Sequence, residues 1–293
     1  MTTETTTAGR LGEEPIQWTD VITPQRGWLE IRWRELWQYR DLIYLLVRRD
    51  FVGTYKQTIL GPLWFFLQPL FTTIVFTVVF ARIAKISTDS VPAPLFYLSG
   101  IVMWQYFADC LNQTAGTFTA NAGIFSKVYF PRLVVPISRV ITSLLTFAIQ
   151  FALFLCFLVF FKLHGAPIDP SFRIIVLPVL LAMMAALGLG VGCLVSSFTT
   201  RYRDLAVAVG FGVQLWMYAS AVVYPLSEIP VEWRWVLVLN PMVPIIESFR
   251  FAFLGSGVVE IWQLAMGAGV CLLVLLSGVF AFNHVEKTFS DTV

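Results

Sequence analysis

Asp109 is the one acidic residue inside the long apolar stretches of this chain, and polar residues are spaced regularly around it. They recur at steps of four, three, four, three and four, which places them on one face of a helix. Lipid cannot satisfy such a stripe, so it must face protein or water. Its carboxylate and carboxamides are suited either to hydrogen-bonding a substrate or to anchoring a neighbouring helix, and both interpretations stay open. The stripe consists of Gln105, Asp109, Asn112, Gly116, Thr119 and Gly123.

The elements that must position this stripe are membrane helices. Hydrophobic residues make up 57% of the chain and charged residues 13%, with a mean hydropathy of +0.75. A soluble domain is about 45–50% apolar and about 25% charged. Six apolar stretches each approach the roughly 20 residues that a helix needs to cross a bilayer. We therefore predict an all-α integral membrane protein with six spans, at about residues 59–81, 95–111, 137–161, 174–198, 205–224 and 261–282. The third and fourth spans resemble lipid-facing scaffold, and Gly188, Gly190 and Gly192 give the fourth a small face for close helix packing.

The positive charges predict the orientation of these spans. Most of the 20 Lys and Arg residues precede the first span or fall in the loops between spans two and three and between spans four and five. The positive-inside rule then places both termini in the cytoplasm. Residues 1–27 are polar and are expected to form a disordered cytoplasmic tail, 58–283 the transmembrane domain, and 284–293 a second cytoplasmic tail.

The segment 28–57 has helical periodicity but too many charges to span a membrane. Tryptophans on one face and arginines on the other are typical of an amphipathic helix that lies in the headgroup plane. A soluble helix packed on a partner is the alternative.

The segment between spans five and six, residues 225–260, is too apolar for a solvated loop and contains four prolines. We predict two short helices there, at about 231–239 and 242–254, that dip into the outer leaflet as a re-entrant pair.

Several kinds of chemistry are missing from the sequence. No Gly-x-x-x-x-Gly-Lys-[Ser/Thr] motif is present, so we expect no nucleotide bound through a P-loop. The four cysteines and two histidines show no metal-ligand spacing. We therefore expect no cofactor, no metal and no nucleic acid, and a separate subunit must supply the energy for any pumping.

Several segments of the chain resemble the permease subunits of ABC-2-type polysaccharide exporters. This family serves O-antigen, capsule, teichoic-acid and galactan export. The resemblance covers nearly the whole chain from about residue 21. The chain departs from the family pattern at two positions, with Thr54 in place of Arg and Ala221 in place of Pro, and the local geometry there stays open. The segments that carry the resemblance are YRDLIYLLVRRDF (39–51), YKQTILGPLWFFLQPL (55–70), KVYFPRLVVPI (127–137), YRDL (202–205), QLWMYASAVVYPLSEIPVEWRWVLVLNPM (214–242) and ESFRFAFLG (247–255).

The resemblance implies the ABC-2 (type V) exporter fold in a bacterial plasma (inner) membrane. A homodimer of this non-catalytic permease would pair with two copies of a cytoplasmic ATPase, which binds the ATP and Mg. The dimer would move a polysaccharide linked to polyprenyl diphosphate or another lipid to the outer face. An ABC-2 exporter of a small molecule, drug or peptide is the alternative. A membrane enzyme acting on polyprenyl-linked sugars would need clustered carboxylates, and the sequence shows none.

The resemblance also implies roles for particular residues. The loop 124–136 looks like the segment that couples to the ATPase, through Lys127, Tyr129, Phe130 and Arg132. The segment 225–260 looks like an outer gate, with Glu228, Glu232, Arg234, Glu247 and Arg250 at its mouth. A further expectation comes from residue type and not from the resemblance. Aromatic faces that grip sugar rings, and polar groups that meet their hydroxyls, would line a path along spans one, two and five at the dimer axis. Packing of the bundle, or an interfacial aromatic belt, is the alternative. The path residues are Trp64, Phe65, Tyr97, Trp104, Gln105, Tyr106, Phe107, Asp109, Asn112, Gln214, Trp216 and Tyr218.

Overall fold

The structure is a computed structural model that describes residues 33–56, 58–125, 130–199, 202, 204–257 and 259–289. All regular elements within those residues are helices, as the composition predicts. The predicted tail 1–27 lies outside the described residues, as do residues 28–32 of the predicted interfacial segment. The α-helices are α1 (Trp33–Gln38), α2 (Arg40–Tyr55), α3 (Trp64–Phe76), α4 (Ala93–Ala115), α5 (Thr117–Phe125), α6 (Val134–Leu163), α7 (Leu177–Thr199), α8 (Leu205–Tyr218), α9 (Val231–Val238), α10 (Met242–Leu254) and α11 (Ile261–Phe289).

Four described helical segments are long and apolar enough to cross a membrane. They cover Gly61–Ile83, Val134–Leu163, Phe172–Thr199 and Ile261–Val285. A fifth candidate arises if α9 and α10, which meet at a bend of 104°, are taken as one broken span. The chain is therefore a multi-pass membrane protein. Three of these segments contain the predicted third, fourth and sixth spans, and Gly61–Ile83 overlaps the predicted first span with a shift of two residues.

The predicted second and fifth spans differ from simple apolar spans. α4 covers the second and extends it to 23 residues, but its polar stripe lowers its hydropathy. The fifth was predicted over 205–224, whereas α8 has 14 residues and ends at Tyr218. A turn follows, in which Ala221 adopts a left-handed φ of 54°. A non-glycine residue is uncommon in that region, so the helix cannot continue through it.

α7 lies at the centre of the bundle, between α4 and α11. The sequence pattern indicated a lipid-facing scaffold for this helix, and that expectation was wrong. The prediction of a small-residue face for close helix packing is confirmed. A Cβ atom at Gly188 would lie 2.7 Å from Cys110 Cβ, and one at Gly190 would lie 2.7 Å from Leu275 Cα. These helices approach so closely because glycine has no side chain.

The N-terminal helices pack on the beginning of α6. Leu36 of α1 and Leu46 of α2 form a buried apolar cluster with Phe130 and Val134. The exposed side of these helices carries large apolar residues, Trp37, Tyr44 and Leu45, together with several charged residues. α2 thus has one apolar face on the protein and an exposed surface of mixed character.

The two helices after α8 contrast in burial. Pro230 and Pro241 are the residues immediately before the first residues of α9 and α10. Trp233 and Trp235 of α9 are exposed. α10 is buried along most of its length against α4, α7 and α11. Both helices occur close to the predicted bounds.

Candidate functional site

A polar cavity of about 460 Å³ lies between α2, α3, α4 and α6. Its wall contains five carboxamides, two carboxylates, one guanidinium and two threonine hydroxyls. Polar and apolar atoms contribute about equally to the surface that lines the cavity. The lining residues are Asp50, Phe65, Gln68, Gln105, Asp109, Asn112, Gln113, Gly116, Ala120, Arg139, Thr142, Thr146 and Gln150.

The predicted stripe on α4 forms one wall of the polar cavity. Gln105 Nε2 donates a hydrogen bond to Asp109 Oδ1 over 2.9 Å, and Asn112 lies one turn farther along. α4 ends at Ala115, and Gly116 forms a turn before α5. Thr119, predicted to continue the stripe, lies on α5 and donates a hydrogen bond to Gly116 O over 3.1 Å. The stripe therefore lines the cavity from Gln105 to Gly116.

The opposite wall is a second polar stripe, on α6, that the sequence reasoning missed. Arg139, Thr142, Thr146 and Gln150 follow at steps of three, four and four, so they share one face of the helix. The stretch 137–161 was interpreted as lipid-facing scaffold because it is strongly apolar overall. The spacing of these four polar residues was the signal that would have revealed the site.

Gln150 is the deepest residue of the α6 stripe. It is 3% exposed, and none of the described residues donates a hydrogen bond to its Oε1 atom. Buried polar atoms in folded proteins nearly always have a partner. The side chain of Gln150 therefore places an unsatisfied, buried polar atom beside the polar cavity.

The end of the cavity near the N-terminal helices is bounded by an ion pair. Arg139 Nη1 lies 3.0 Å from Asp50 Oδ2, and Arg49 Nη2 lies 2.9 Å from Asp50 Oδ1. The side chain of Asp50 is 7% exposed. The guanidinium of Arg139 therefore reaches the cavity already paired, which makes the wall polar without leaving an uncompensated positive charge there.

The arrangement is suited to binding a polar solute. No group of three or more His, Cys, Asp or Glu side chains that could hold a metal ion occurs among the described residues. Carboxamides and hydroxyls both donate and accept hydrogen bonds. They recognise hydroxyl-rich molecules by geometry, without transferring a proton.

The predicted path residues fall into separate groups. Trp104, Phe107 and Trp216 form an aromatic cluster, with ring centroids 5.0 to 6.3 Å apart, between α4 and α8. Phe107 is fully buried, and Trp216 Nε1 donates a hydrogen bond to Asn240 Oδ1 over 3.1 Å. This cluster packs helices together on a different face of α4 from the polar stripe.

The remaining path residues are also divided by the structure. Tyr97 and Tyr106 are buried against other aromatic rings of the core. Phe65 lines the polar cavity and stacks on Phe51, with ring centroids 5.7 Å apart. Three predicted path residues are exposed on the outer surface of this protomer: Trp64, Gln214 and Tyr218.

Two of the residues predicted at an outer mouth are buried together. Arg250 and Glu247 are each 1% exposed, and Arg250 Nη1 donates to Glu247 Oε1 over 3.1 Å. Arg250 also donates to Ala221 O over 2.7 Å, to Val222 O over 2.8 Å and to Ser99 Oγ over 3.3 Å. This Arg250 network fixes α10 to α4 and to the turn after α8.

The other three predicted mouth residues lie nearer the surface. Glu228 and Glu232 are exposed. Arg234 donates to Ser227 O over 2.7 Å and to Ile229 O over 2.8 Å, which secures the beginning of α9. The structure therefore separates these three from the buried pair.

The predicted coupling residues are partly described. Lys127 and Tyr129 lie outside the described residues. Phe130 is buried beneath the N-terminal helices, and the guanidinium carbon of Arg132 lies 5.6 Å from the centroid of the Phe125 ring. Phe130 thus anchors the loop to the fold and does not extend from its surface.

Comparisons with known proteins agree on one family. The family model described as "ABC-2 type transporter" matches residues 41–254. The chain is 28% identical over 263 residues to the O-antigen export system permease protein RfbA of Myxococcus xanthus, covering 89% of this chain and 98% of that protein. It is 25% identical to the RfbA protein of Klebsiella pneumoniae, over 86% of this chain and 94% of that protein. It is also 25% identical to the polysialic acid transport protein KpsM of Escherichia coli, over 84% and 93% respectively.

Proposed function

The chain belongs to the ABC-2 type transporter family, and we propose that it is the membrane subunit of an ATP-driven exporter of a lipid-linked polysaccharide. The observation that carries the proposal is the extent of the similarity to export permeases. The match to the Myxococcus O-antigen permease covers 98% of that protein, so the similarity is not confined to one segment. Permeases named for O-antigen, polysialic acid and capsule export all match along most of their length.

The chain would act with a partner that hydrolyses ATP. We infer a homodimer of this subunit with two copies of a cytoplasmic ATPase. Coupling would pass through the loop 124–136, where Phe130 and Arg132 are held against the fold. A displacement of this loop by the ATPase would then be transmitted to α2 and α6, because Phe130 packs against both.

The proposed topology has six spans in a bacterial plasma membrane, with both termini in the cytoplasm. α4 would be the second span, since its 23 residues extend about 35 Å. α8 extends about 21 Å and would cross only with the turn that follows it. α9 and α10, bent by 104°, would form the re-entrant pair that acts as an outer gate.

The proposed function can be tested by removing the gene from cells that make a surface polysaccharide. We expect the lipid-linked polymer to accumulate inside and to disappear from the surface, and the full-length chain to restore export. Membrane vesicles that contain this chain and its ATPase should accumulate the lipid-linked polymer only with ATP. Normal surface polymer in the deletion strain would overturn the proposal, and loss of resistance to a small toxic molecule instead would support the small-molecule alternative.

A further inference from the structure

We propose that the polar cavity between α2, α3, α4 and α6 binds one uncharged sugar unit of the transported glycan. The inference rests on the proposed export function and adds a recognition site to it. It differs from the predicted path along spans one, two and five, because one wall of the cavity is α6, which covers the predicted third span.

The polar stripes of α4 and α6 form opposite walls of the cavity. Arg139 and Gln150 are separated by 11 residues of α6, so the cavity extends about 16 Å along that helix. α4 contributes Gln105 and Asp109 from the other side. The volume of about 460 Å³ lies within the range of about 300–1,000 Å³ of small-molecule pockets. The cavity is therefore large enough for a ligand with polar groups on opposite sides.

The hydrogen-bonding groups are those that a sugar ring requires. Hydroxyl groups both donate and accept, and so do the carboxamides that dominate the wall. Gln150 lines the cavity, and no described residue donates to its Oε1 atom, which is itself buried. A ligand hydroxyl would reach this acceptor after a rotation of the Gln150 side chain, and the new hydrogen bond would offset the cost of an unsatisfied buried polar atom. The ring of Phe65 provides the apolar surface on which the C–H face of a sugar can pack.

The charges in the wall favour an uncharged ligand over a phosphate. The only cation among the described lining residues is Arg139, and it is paired with Asp50. Asp109 adds a second carboxylate, which would repel an anion. The diphosphate of a lipid carrier and acidic sugars are thus poorly matched to this cavity, whereas a neutral hexose is well matched.

A photo-crosslinking amino acid at Thr146, which lines the cavity, tests the proposal directly. The full-length chain would be expressed with its ATPase in cells that make the glycan, and covalent capture would be detected with a glycan-specific antibody. Leu145 is the matched control, because it is the adjacent residue of α6, is exposed on the surface of the protomer and does not line the cavity. We expect glycan captured at Thr146 but not at Leu145, and no capture in cells unable to make the glycan.

A crosslinker at Gln214 separates this proposal from the proposed function. Gln214 is exposed on α8 and belongs to the predicted path at the dimer axis. Capture at Gln214 without capture at Thr146 would overturn the sugar site and leave export intact. The sugar site is also overturned if neither position captures glycan although deletion of the gene abolishes export. Normal export in the deletion strain would overturn the function itself.

The substitution Gln150→Leu gives a test that does not depend on a bulky probe. Leucine removes the unsatisfied acceptor at similar volume, so the melting temperature should stay the same or rise. The export rate should nevertheless fall about fivefold, the loss expected for one hydrogen bond to the ligand. A lower melting temperature with unchanged export per folded complex would show that Gln150 is structural, and would overturn its place in the site.

Discussion

Asp50 Oδ2 lies 3.0 Å from Arg139 Nη1, and this contact ties the N-terminal helix α2 to the beginning of α6. Asp50 is nearly buried and Arg139 is about one-fifth exposed. The pair bounds one end of the polar cavity, so the position of α2 and the shape of the cavity depend on the same interaction.

Replacing Asp50 should loosen α2. In the variant Asp50→Ala the guanidinium of Arg139 loses its carboxylate partner, and we expect a loss of about 1.5–3 kcal/mol of stability. The measurement is the melting temperature of the purified complex. Asp41→Asn is the control, because Asp41 lies on the same helix in an exposed pair with Arg40 at 3.8 Å, and exposed pairs contribute little. Equal melting temperatures for the two variants would contradict the role of the ion pair.

The packing of α11 on α7 should be sensitive to a single methyl group. A Cβ atom at Gly278 would collide with the backbone of Gly190, so Gly278→Ala must push the helices apart. We expect a loss of about 1–3 kcal/mol, typical of overpacking. Gly269→Ala on the same helix is the matched control, since no described atom lies within 4 Å of its Cβ position. Size-exclusion profiles after graded heating would measure both, and an intact Gly278→Ala variant would disprove the close approach.

The sequence predicted much of the architecture for physical reasons. Long apolar stretches must become membrane helices, and prolines such as Pro230 and Pro241 mark where short helices begin. Glycines in α7 indicated close packing correctly. The end of α8 could not be predicted in this way, because it depends on Arg250, 29 residues beyond Ala221, donating to the carbonyl groups of the turn.

The sequence predicted one wall of the candidate site, the α4 stripe, and missed the other, the α6 stripe. The α4 stripe is visible because polar residues break an otherwise apolar segment at helical spacing. The α6 stripe is diluted by apolar residues, so its polar face is hidden in the average hydropathy. Aromatic residues such as Phe107 were the least informative. An aromatic side chain packs a core and grips a sugar equally well, and the contact partners that decide between these roles come from other helices.

Substitution of single aromatic residues by alanine should distinguish residues that stabilise the fold from residues that contact the transported glycan. Phe107 is fully buried in the aromatic cluster, so Phe107→Ala should destabilise the protein by about 3–5 kcal/mol. Tyr218 is exposed on α8, so Tyr218→Ala should leave the melting temperature nearly unchanged. Melting temperature and export per folded complex should be measured together. A stable Phe107→Ala protein that has lost export would support the predicted place of Phe107 in the path.

The Arg250 network should require the shape of arginine as well as its charge. The planar guanidinium donates to Ala221 O, Val222 O and Glu247 Oε1 at once, and its carbon lies 3.7 Å from the centroid of the Phe96 ring. Lysine keeps the charge but has no planar fork of donors. We therefore expect Arg250→Lys to lower stability by about 1–3 kcal/mol. Arg250→Met should lower it by about 3–5 kcal/mol, because Glu247 would be left buried without its partner.

The matched control for this network is Arg234→Lys. Arg234 also donates to two backbone carbonyls, but it is less buried and secures only the beginning of the exposed helix α9. Its replacement should shift the melting temperature less than Arg250→Lys does. If Arg250→Lys melts like the parent protein but fails to export, the network serves the movement of the outer helices. If both Arg250→Lys and Arg250→Met melt like the parent, the buried pair does not hold α10 in place.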